Sequence, residues 1–310
     1  MRRFQYVIVG GGMTAAAAVH GVREIDARGA IALISAEPHP PYNRPPLSKA
    51  LWKGDAESTV WRTADVAGAE LMLGRRITAI DAAAKRLTDD RGDTYQYERL
   101  LLATGGAPRR LPPPAAEGIV YFRTLDDYRR LRAAADAKRR FAVIGGGFIG
   151  SEVAAALRLQ GCDVAMVIPE AGIGARVFPA ELSAHLADYY RGKGVDVRTG
   201  EGVAAATARG AGISITTTLK REVAADVVVA GLGIIPSVEL ATQAGLSIDN
   251  GIVVDELLRT IRAEIFAAGD VAAFPSAALG RRVRVEHEDN ANAQGRAAGR
   301  NMAGAGEPYT

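Results

Sequence analysis

The chain has 310 residues, 48% of them hydrophobic and 24% charged, the balance of a soluble globular protein long enough for two cored domains. A net charge of +3, with no lysine-rich tail or interleaved aromatic–basic module, gives no sign of a nucleic-acid binder, and no apolar run approaches the ~18–20 residues of a membrane span. The single cysteine, Cys162, excludes a disulfide framework and a C-x-x-C redox centre.

In chain order, the N-terminus leaves no room for a signal or transit peptide, so a cytoplasmic location is expected. Tyr6–Val9 reads as a short buried strand. Gly10, Gly11 and Gly12 follow, with Ala15 in the third slot of a G-x-G-x-x-G/A pattern. An alanine-rich helix is expected from about Thr14 to Ala27, and a second strand, Ala30–Ser35, leads to Glu37. This order is the βαβ dinucleotide fingerprint. Gly10 permits the turn out of the strand, Gly12 lets backbone approach a pyrophosphate, and Ala15 lets helix and strand pack closely. Glu37 stands where a carboxylate accepts from a ribose 2′-hydroxyl. The helix N-terminus offers N–H groups and partial positive charge to the phosphates.

Pro41–Lys49, PYNRPPLSK, is a proline-rigid loop, and a less regular segment continues to about Val66. Strands are expected around Glu70–Ile80, Lys85–Tyr97 and Arg99–Ala103, the last ending on the turn Ala103-Thr104-Gly105. Arg109–Pro114, RRLPPP, reads as a linker and Thr124–Lys138 as an arginine-rich helix.

A second βαβ unit then opens. Its strand is Arg140–Ile144, Gly145, Gly147 and Gly150 complete G-x-G-x-x-G, the helix spans Phe148–Gln160, and the strand Asp163–Ile168 leads to Pro169-Glu170. Glu170 lies 25 positions after Gly145, and Glu37 lies 27 after Gly10; the two units start 135 residues apart. Two such units imply two dinucleotides held by one protein. An amphipathic helix, Pro179–Arg191, and short strands near Val195, Val203, Ile213–Thr218 and Val227–Ala230 come next. From Val253 a strand pair returns to the first domain, Gly269-Asp270 closes its last strand, and a helix runs from about Asn290 to Met302.

Together, Gly10–Gly12 with Glu37, Pro41–Lys49, Leu101–Gly105, Gly145–Glu152, Ile265–Asp270 and Arg284-Val-Glu-His287 resemble the FAD- and NAD(P)-dependent pyridine nucleotide oxidoreductases, in the branch of oxygenase-coupled ferredoxin reductases and apoptosis-inducing factor. The resemblance runs in order over nearly the whole chain. It implies an α/β fold of two interleaved Rossmann-like, glutathione-reductase-like domains. Residues 1–112 plus 246–310 would bind FAD and residues 113–245 would bind NAD(H), with the family's C-terminal domain absent and the oligomeric state open. The implied activity is an FAD-dependent NADH oxidoreductase that passes electrons to a ferredoxin or rubredoxin. An apoptosis-inducing-factor-like enzyme using quinone or oxygen, and a redox-sensing flavoprotein whose assembly responds to NADH, are the alternatives.

The resemblance also implies site residues. Lys49 would lie by the flavin and pair with Glu152, joining the two halves, and Arg44 would neutralise pyrophosphate charge. Asp270 would bond the ribityl chain, with Glu286 and His287 beside the isoalloxazine and Thr14, Ile77, Ala103, Thr104 and Gly105 completing the FAD set. The nicotinamide set is Gly145, Gly147, Phe148, Ile149, Gly150, Glu152, Glu170, Arg176 and Gly233. A carboxylate at Glu170 accepts from a free 2′-hydroxyl and repels a 2′-phosphate, which favours NADH; Arg176 is the residue that favours NADPH instead. Plainer readings stand beside these: a solvated surface for Arg44 and Lys49, helix decoration for Glu152, a turn aspartate for Asp270, a structural role for His287, and a core ring rather than a gate for Phe148. Position 288, often aromatic or histidine in relatives, is glutamate here, which weakens any stacking on the ring. Cys162 reads as a packed residue, which leaves no disulfide-reductase or cysteine-peroxidase chemistry. The arginines of Arg123–Arg140 and Arg281, Arg282 and Arg284 form either a docking face for an acidic ferredoxin or a solvated face.

Overall fold

The computed structural model describes residues 1–309. Its α-helices, in chain order, are α1 (Met13–Ile25), α2 (Leu125–Asp136), α3 (Phe148–Leu159), α4 (Ala180–Gly192), α5 (Glu239–Gln243) and α6 (Glu288–Met302). The chain divides into two compact units. The first is Met1–Asn43, Ser58–Ala107 and Pro236–Thr310; the second is Arg44–Glu57 and Pro108–Ile235.

The first unit is built on a seven-stranded sheet. Its parallel part runs, edge inward, Glu70–Leu73, Ile31–Ser35, Arg2–Val9 and Thr94–Leu102. The apolar runs Tyr6–Val9, Ile31–Ile34 and Leu100–Leu102 are buried throughout, as strands covered on both faces require. Thr94–Leu102 is longer than expected. Its first half pairs antiparallel with Arg86–Asp89, which pairs with Ile77–Asp81, while its second half pairs parallel with Ile265–Ala267. The expected strand Glu70–Ile80 is in fact two, Glu70–Leu73 and Ile77–Asp81, broken where Gly74 turns with φ +62. On one face α1 packs backbone to backbone on α6. A Cβ at Gly21 would meet the Arg296 oxygen at 2.1 Å, and one at Gly299 would meet the Ala18 oxygen at 2.1 Å. The glycines and alanines of both helices are what let their axes approach so closely.

The second unit repeats the plan. Its five-stranded parallel sheet runs Asp196–Thr199, Val164–Ile168, Phe141–Ile144, Val227–Ala230, Val120–Tyr121. A three-stranded antiparallel sheet, Val203–Arg209, Gly212–Thr217 and Glu222–Ala225, follows the edge strand; its third strand was not expected. Arg44–Glu57 packs with this unit by specific contacts. Trp52 is 3% exposed, its Nε1 donates to the Leu47 oxygen (2.7 Å), and Gln160, the C-cap of α3, donates to the Trp52 oxygen (2.8 Å). The Trp52 ring meets Tyr128 of α2 edge-on at 5.4 Å, and Arg129 of α2 pairs with Glu57 at 2.6 Å.

Candidate functional site

In the first unit the chosen residues gather at the carboxyl ends of the parallel strands, where open α/β sheets bind ligands. The pairings Val9↔Ile34, Val9↔Leu102 and Ala267↔Leu102 bring the next residues side by side: Gly10 to Gly12, Ser35 to Glu37, Ala103 to Gly105, and Ala268 to Asp270. Gly10 has φ +132, and a Cβ there would lie 2.2 Å from the Ala103 oxygen, so only glycine fits that turn. At Gly12 a Cβ would meet nothing within 4 Å; the space is a cradle that backbone leaves open. The helix that begins there, α1, has no side-chain cap and no acidic residue in its first turn.

Glu37 accepts from the Tyr42 hydroxyl at 2.5 Å, and its backbone oxygen accepts from Gly74 (3.0 Å); Ile77 follows that turn and is buried. Thr14 is buried at the base of the Gly269 turn, and Ala15 is fully buried. Thr104 donates to the Ser237 oxygen at 2.7 Å, and Gly105 accepts from Ser237 at 3.0 Å, which fixes the small-residue turn. The backbone oxygen of Asp270 accepts from Arg284 at 3.0 Å, and the same guanidinium pairs with Glu286 at 2.8 Å. His287 is the cap of α6: its exposed ring accepts from the Asp289 N–H through Nδ1 at 3.2 Å.

The second unit has the equivalent edge. Gly145 has φ +101, and its Cβ would lie 2.5 Å from the Gly231 oxygen; Gly150 lies against the Gly145 oxygen; Gly147 is open on its Cβ side. Helix α3 likewise lacks both a side-chain cap and an acidic first turn. By contrast α2 closes its N-terminus with a Thr124–Asp127 capping box, α4 and α5 each carry a glutamate in the first turn, and α6 has the His287 cap with Glu288 and Asp289. Among the described α-helices only α1 and α3 combine a glycine N-cap with a first turn free of acidic residues, and the positive end of such a helix favours an anion such as a pyrophosphate.

Around that edge, Glu170 pairs with Arg176 at 2.6 Å; the carboxylate side chain is 25% exposed and the guanidinium 80%. Gly233 has φ +81, and a Cβ there would lie 4.0 Å from Arg109 Nε. Phe148 is 63% exposed and Ile149 is exposed, so Phe148 is not a core ring; it meets Phe178 edge-on at 6.3 Å. Lys49 and Glu152 come together at 2.8 Å. The pair is internal to the second unit and does not join the two halves, because Arg44–Glu57 packs there. Arg44 donates to the Arg123 oxygen at 2.8 Å in the same unit.

Three residues absent from the sequence reading of the site support it. Ser48 donates to the same Glu152 oxygen that Lys49 holds (2.6 Å). Gln294, fully buried in α6, accepts from the Gly269 N–H (2.9 Å) and so fixes the turn before Asp270. Arg284, which the sequence grouped with a surface cluster, is 9% exposed at its side chain and faces Asp270 and Glu286. Arg282 is exposed, but its guanidinium donates to the Val254 and Ala273 oxygens, both at 2.6 Å. Of the α2 arginines, Arg129, Arg130 and Arg132 are tied to Glu57, the Gly118 oxygen and Asp136, the pattern of a solvated face.

Cys162 is buried, donates to the Ala135 oxygen (3.6 Å), and burial pushes its thiol pKa up, the opposite of a reactive thiolate. Among the described residues there is no His, Cys, Asp or Glu group that could hold a metal, and no helix long and apolar enough to cross a membrane.

Comparisons with known proteins place these features. Residues 4–295 match the pyridine nucleotide-disulphide oxidoreductase family model. The ferredoxin–NAD(+) reductase component of an anthranilate 1,2-dioxygenase system from Burkholderia cepacia is 42% identical over 98% of this chain and 77% of its own. Putidaredoxin reductase of Pseudomonas putida is 38% identical over 94% of this chain and 72% of its own. The crystal structure of a ferredoxin reductase from Rhodopseudomonas palustris superposes with a TM-score of 0.90 at 34% identity, over 99% of this chain and 78% of that one. Two glycine-turn nucleotide edges on two interleaved parallel sheets, and a match that runs from one end of the chain to the other, make this chain a member of the pyridine nucleotide-disulphide oxidoreductase family, whose cofactors are FAD and NAD(H).

Proposed function

We propose that the chain is an FAD-dependent NADH oxidoreductase that passes electrons to a small iron–sulfur protein, as the Burkholderia and Pseudomonas relatives are named for doing. The observation that carries the reading is the pair of open glycine turns, Gly12 at the start of α1 and Gly147 at the start of α3, in a chain whose only cysteine is buried. Two nucleotides are held and no thiol takes part, which leaves electron relay without a disulfide.

The first unit, Met1–Asn43, Ser58–Ala107 and Pro236–Thr310, holds FAD in this reading, and the second, Arg44–Glu57 with Pro108–Ile235, holds NAD(H). Bound flavin supplies the hydride acceptor and the means to release electrons one at a time. The chain's own residues bind and orient. Glu37 accepts from the adenosine ribose, Asp270 from the ribityl hydroxyls, and Arg44 answers phosphate charge. Glu170 accepts from the ribose hydroxyls of NADH. Lys49 keeps its ammonium fixed on Glu152 and offers its remaining N–H groups. Phe148 shields the nicotinamide side from water. Cytoplasmic residence belongs to the same proposal and fits a chain whose single cysteine is free and buried.

Stopped-flow mixing of the FAD-loaded protein with NADH tests it. Fast bleaching of the flavin band followed by rapid reduction of a ferredoxin is expected. Bleaching with transfer only to quinone or oxygen points to the oxidase-like alternative. Slow bleaching with a change in oligomeric size points to a sensor. A protein that cannot be loaded with FAD overturns all three.

A further inference from the structure

We propose that Ser48 is a positioning residue: its buried hydroxyl fixes the Glu152 carboxylate, which in turn holds the Lys49 ammonium in place. The inference rests on the reading of the Lys49–Glu152 pair given above. Ser48 is 5% exposed, and its Oγ donates to Glu152 Oε2 at 2.6 Å. Lys49 Nζ donates to that same oxygen at 2.8 Å. Both bonds therefore fall on one oxygen, which sets the rotation of the whole carboxylate.

The lysine cannot do this alone. Its side chain is 51% exposed and that of Glu152 is 25% exposed. A half-exposed pair of long side chains gains little, because water screens the charges and each chain loses rotamer freedom on pairing. Ser48 differs on both counts. Its hydroxyl is out of water, it has one short rotor to lose, and a bond to an ionised acceptor is among the stronger kinds. The only other acceptor recorded for it is the Pro45 oxygen at 3.4 Å, too long to compete.

The mount is also stiff. Ser48 ends the 3₁₀ turn Pro45–Ser48, with two prolines at its start. Leu47 donates to the Arg44 oxygen (3.0 Å) and Lys49 to the Pro46 oxygen (3.1 Å). The Trp52 indole locks the Leu47 oxygen (2.7 Å). Serine, lysine and carboxylate thus form a fixed triad in which the lysine is the member most open to solvent.

The test uses Ser48→Ala, Ser48→Thr and Glu152→Gln in the full chain, with two readouts. The first is the rate of reductive methylation of Lys49, followed by mass spectrometry without NADH. Ser48→Ala should be methylated several-fold faster than the parent and approach Glu152→Gln, while Ser48→Thr, which keeps the hydroxyl, should stay near the parent. The second is flavin reduction by NADH. Ser48→Ala should slow the saturating rate about tenfold, the loss of one bond to a charged group, with the NADH dissociation constant unchanged and the threonine variant restored. If Ser48→Ala matches the parent in both readouts while Glu152→Gln alters them, the role of Ser48 is overturned and the pair stands. If Glu152→Gln also leaves both unchanged, the reading of the pair itself falls.

Discussion

The two glycines of the first turn make opposite predictions. Gly10→Ala places a methyl 2.2 Å from the Ala103 oxygen at a backbone with φ +132. Left-handed strain and forced displacement of a buried strand end together cost about 4 kcal/mol. At about 2–4 °C per kcal/mol for a domain of this size, the melting temperature of the apoprotein should fall by about 8–16 °C. Gly12→Ala places its methyl in open space at φ −88, so the apoprotein should melt at or slightly above the parent temperature, since alanine restricts the unfolded chain. That methyl occupies the cradle, however. A pyrophosphate pushed off the α1 N-terminus loses one or two charge-assisted bonds, each about 1.5–3 kcal/mol, which weakens FAD binding by about 10- to 10,000-fold. Calorimetric melting of apoprotein and titration with FAD read the two effects separately. If Gly12→Ala binds FAD with parental affinity, the cradle is not a phosphate site. If Gly10→Ala melts with the parent, the close approach of Gly10 to the Ala103 oxygen does not carry the turn.

Glu170→Gln removes the charge that Arg176 answers at 2.6 Å and frees an exposed guanidinium. NADH affinity should fall about tenfold and the NADPH-to-NADH ratio of KM values should drop; an unchanged ratio removes Glu170 from cofactor choice. Cys162, buried with its thiol pKa pushed up, should resist iodoacetamide in the native protein, and activity should survive the reagent; labelling with parallel loss of flavin reduction would contradict the thiol-free relay. Asp89, with a fully buried side chain, accepts from the Arg91 and Asp93 N–H groups, from Arg75 and from the Tyr95 hydroxyl, so Asp89→Ala should lower unfolding free energy by about 3–5 kcal/mol. Burial opposes ionisation of Asp89, but the Tyr95, backbone and Arg75 bonds outweigh it and hold its carboxyl below the ordinary value. Its stabilising effect is therefore full above an unfolded aspartate pKa of about 3.9 and fades as pH falls below it. Urea midpoints at pH 7 and pH 3 should converge between parent and Asp89→Ala, and a constant gap would refute the assignment.

The elements that carry a periodic or positional signal could be read directly. Tyr6–Val9 and Arg140–Ile144 are uninterrupted apolar runs before glycines, and both are central parallel strands. The turn at Gly74 was missed because the apolar residues on either side, Leu71 to Leu73 and Ile77 to Ile80, read as one run; a positive φ at a single glycine leaves no mark in hydrophobic periodicity. Thr94–Leu102 reads in the sequence as parts of two strands, Lys85–Tyr97 and Arg99–Ala103, because the charged Glu98 and Arg99 interrupt the apolar pattern. They are exposed positions in the middle of a strand whose partners change from Arg86–Asp89 to Ile265–Ala267, and that change depends on chain more than 160 residues away.

The site divides along the same line. Glycines, strand-end acids and the Lys49–Glu152 pair belong to motifs of fixed order, so position alone suggests what they touch. Ser48, Arg284 and Gln294 act through residues distant in sequence: 104 positions from Ser48 to Glu152, 14 from Arg284 to Asp270 and 25 from Gln294 to Gly269. Ser48 and Arg284 lie inside family motifs and Gln294 outside any, but in none of them does the motif name the partner; the folded contacts reveal what they do. Burial also reverses the reading of Arg284, because an arginine beside Arg281 and Arg282 looks like surface charge until its guanidinium is found enclosed. The strap Arg44–Glu57 follows the same logic: its proline-rich composition says rigid, but which unit it belongs to is decided by Trp52, whose ring and carbonyl are taken by α2 and α3. Lys49 is therefore carried by the unit that also carries Glu170 and Glu152, and a substitution at Trp52 should disturb the lysine before it disturbs any glycine turn.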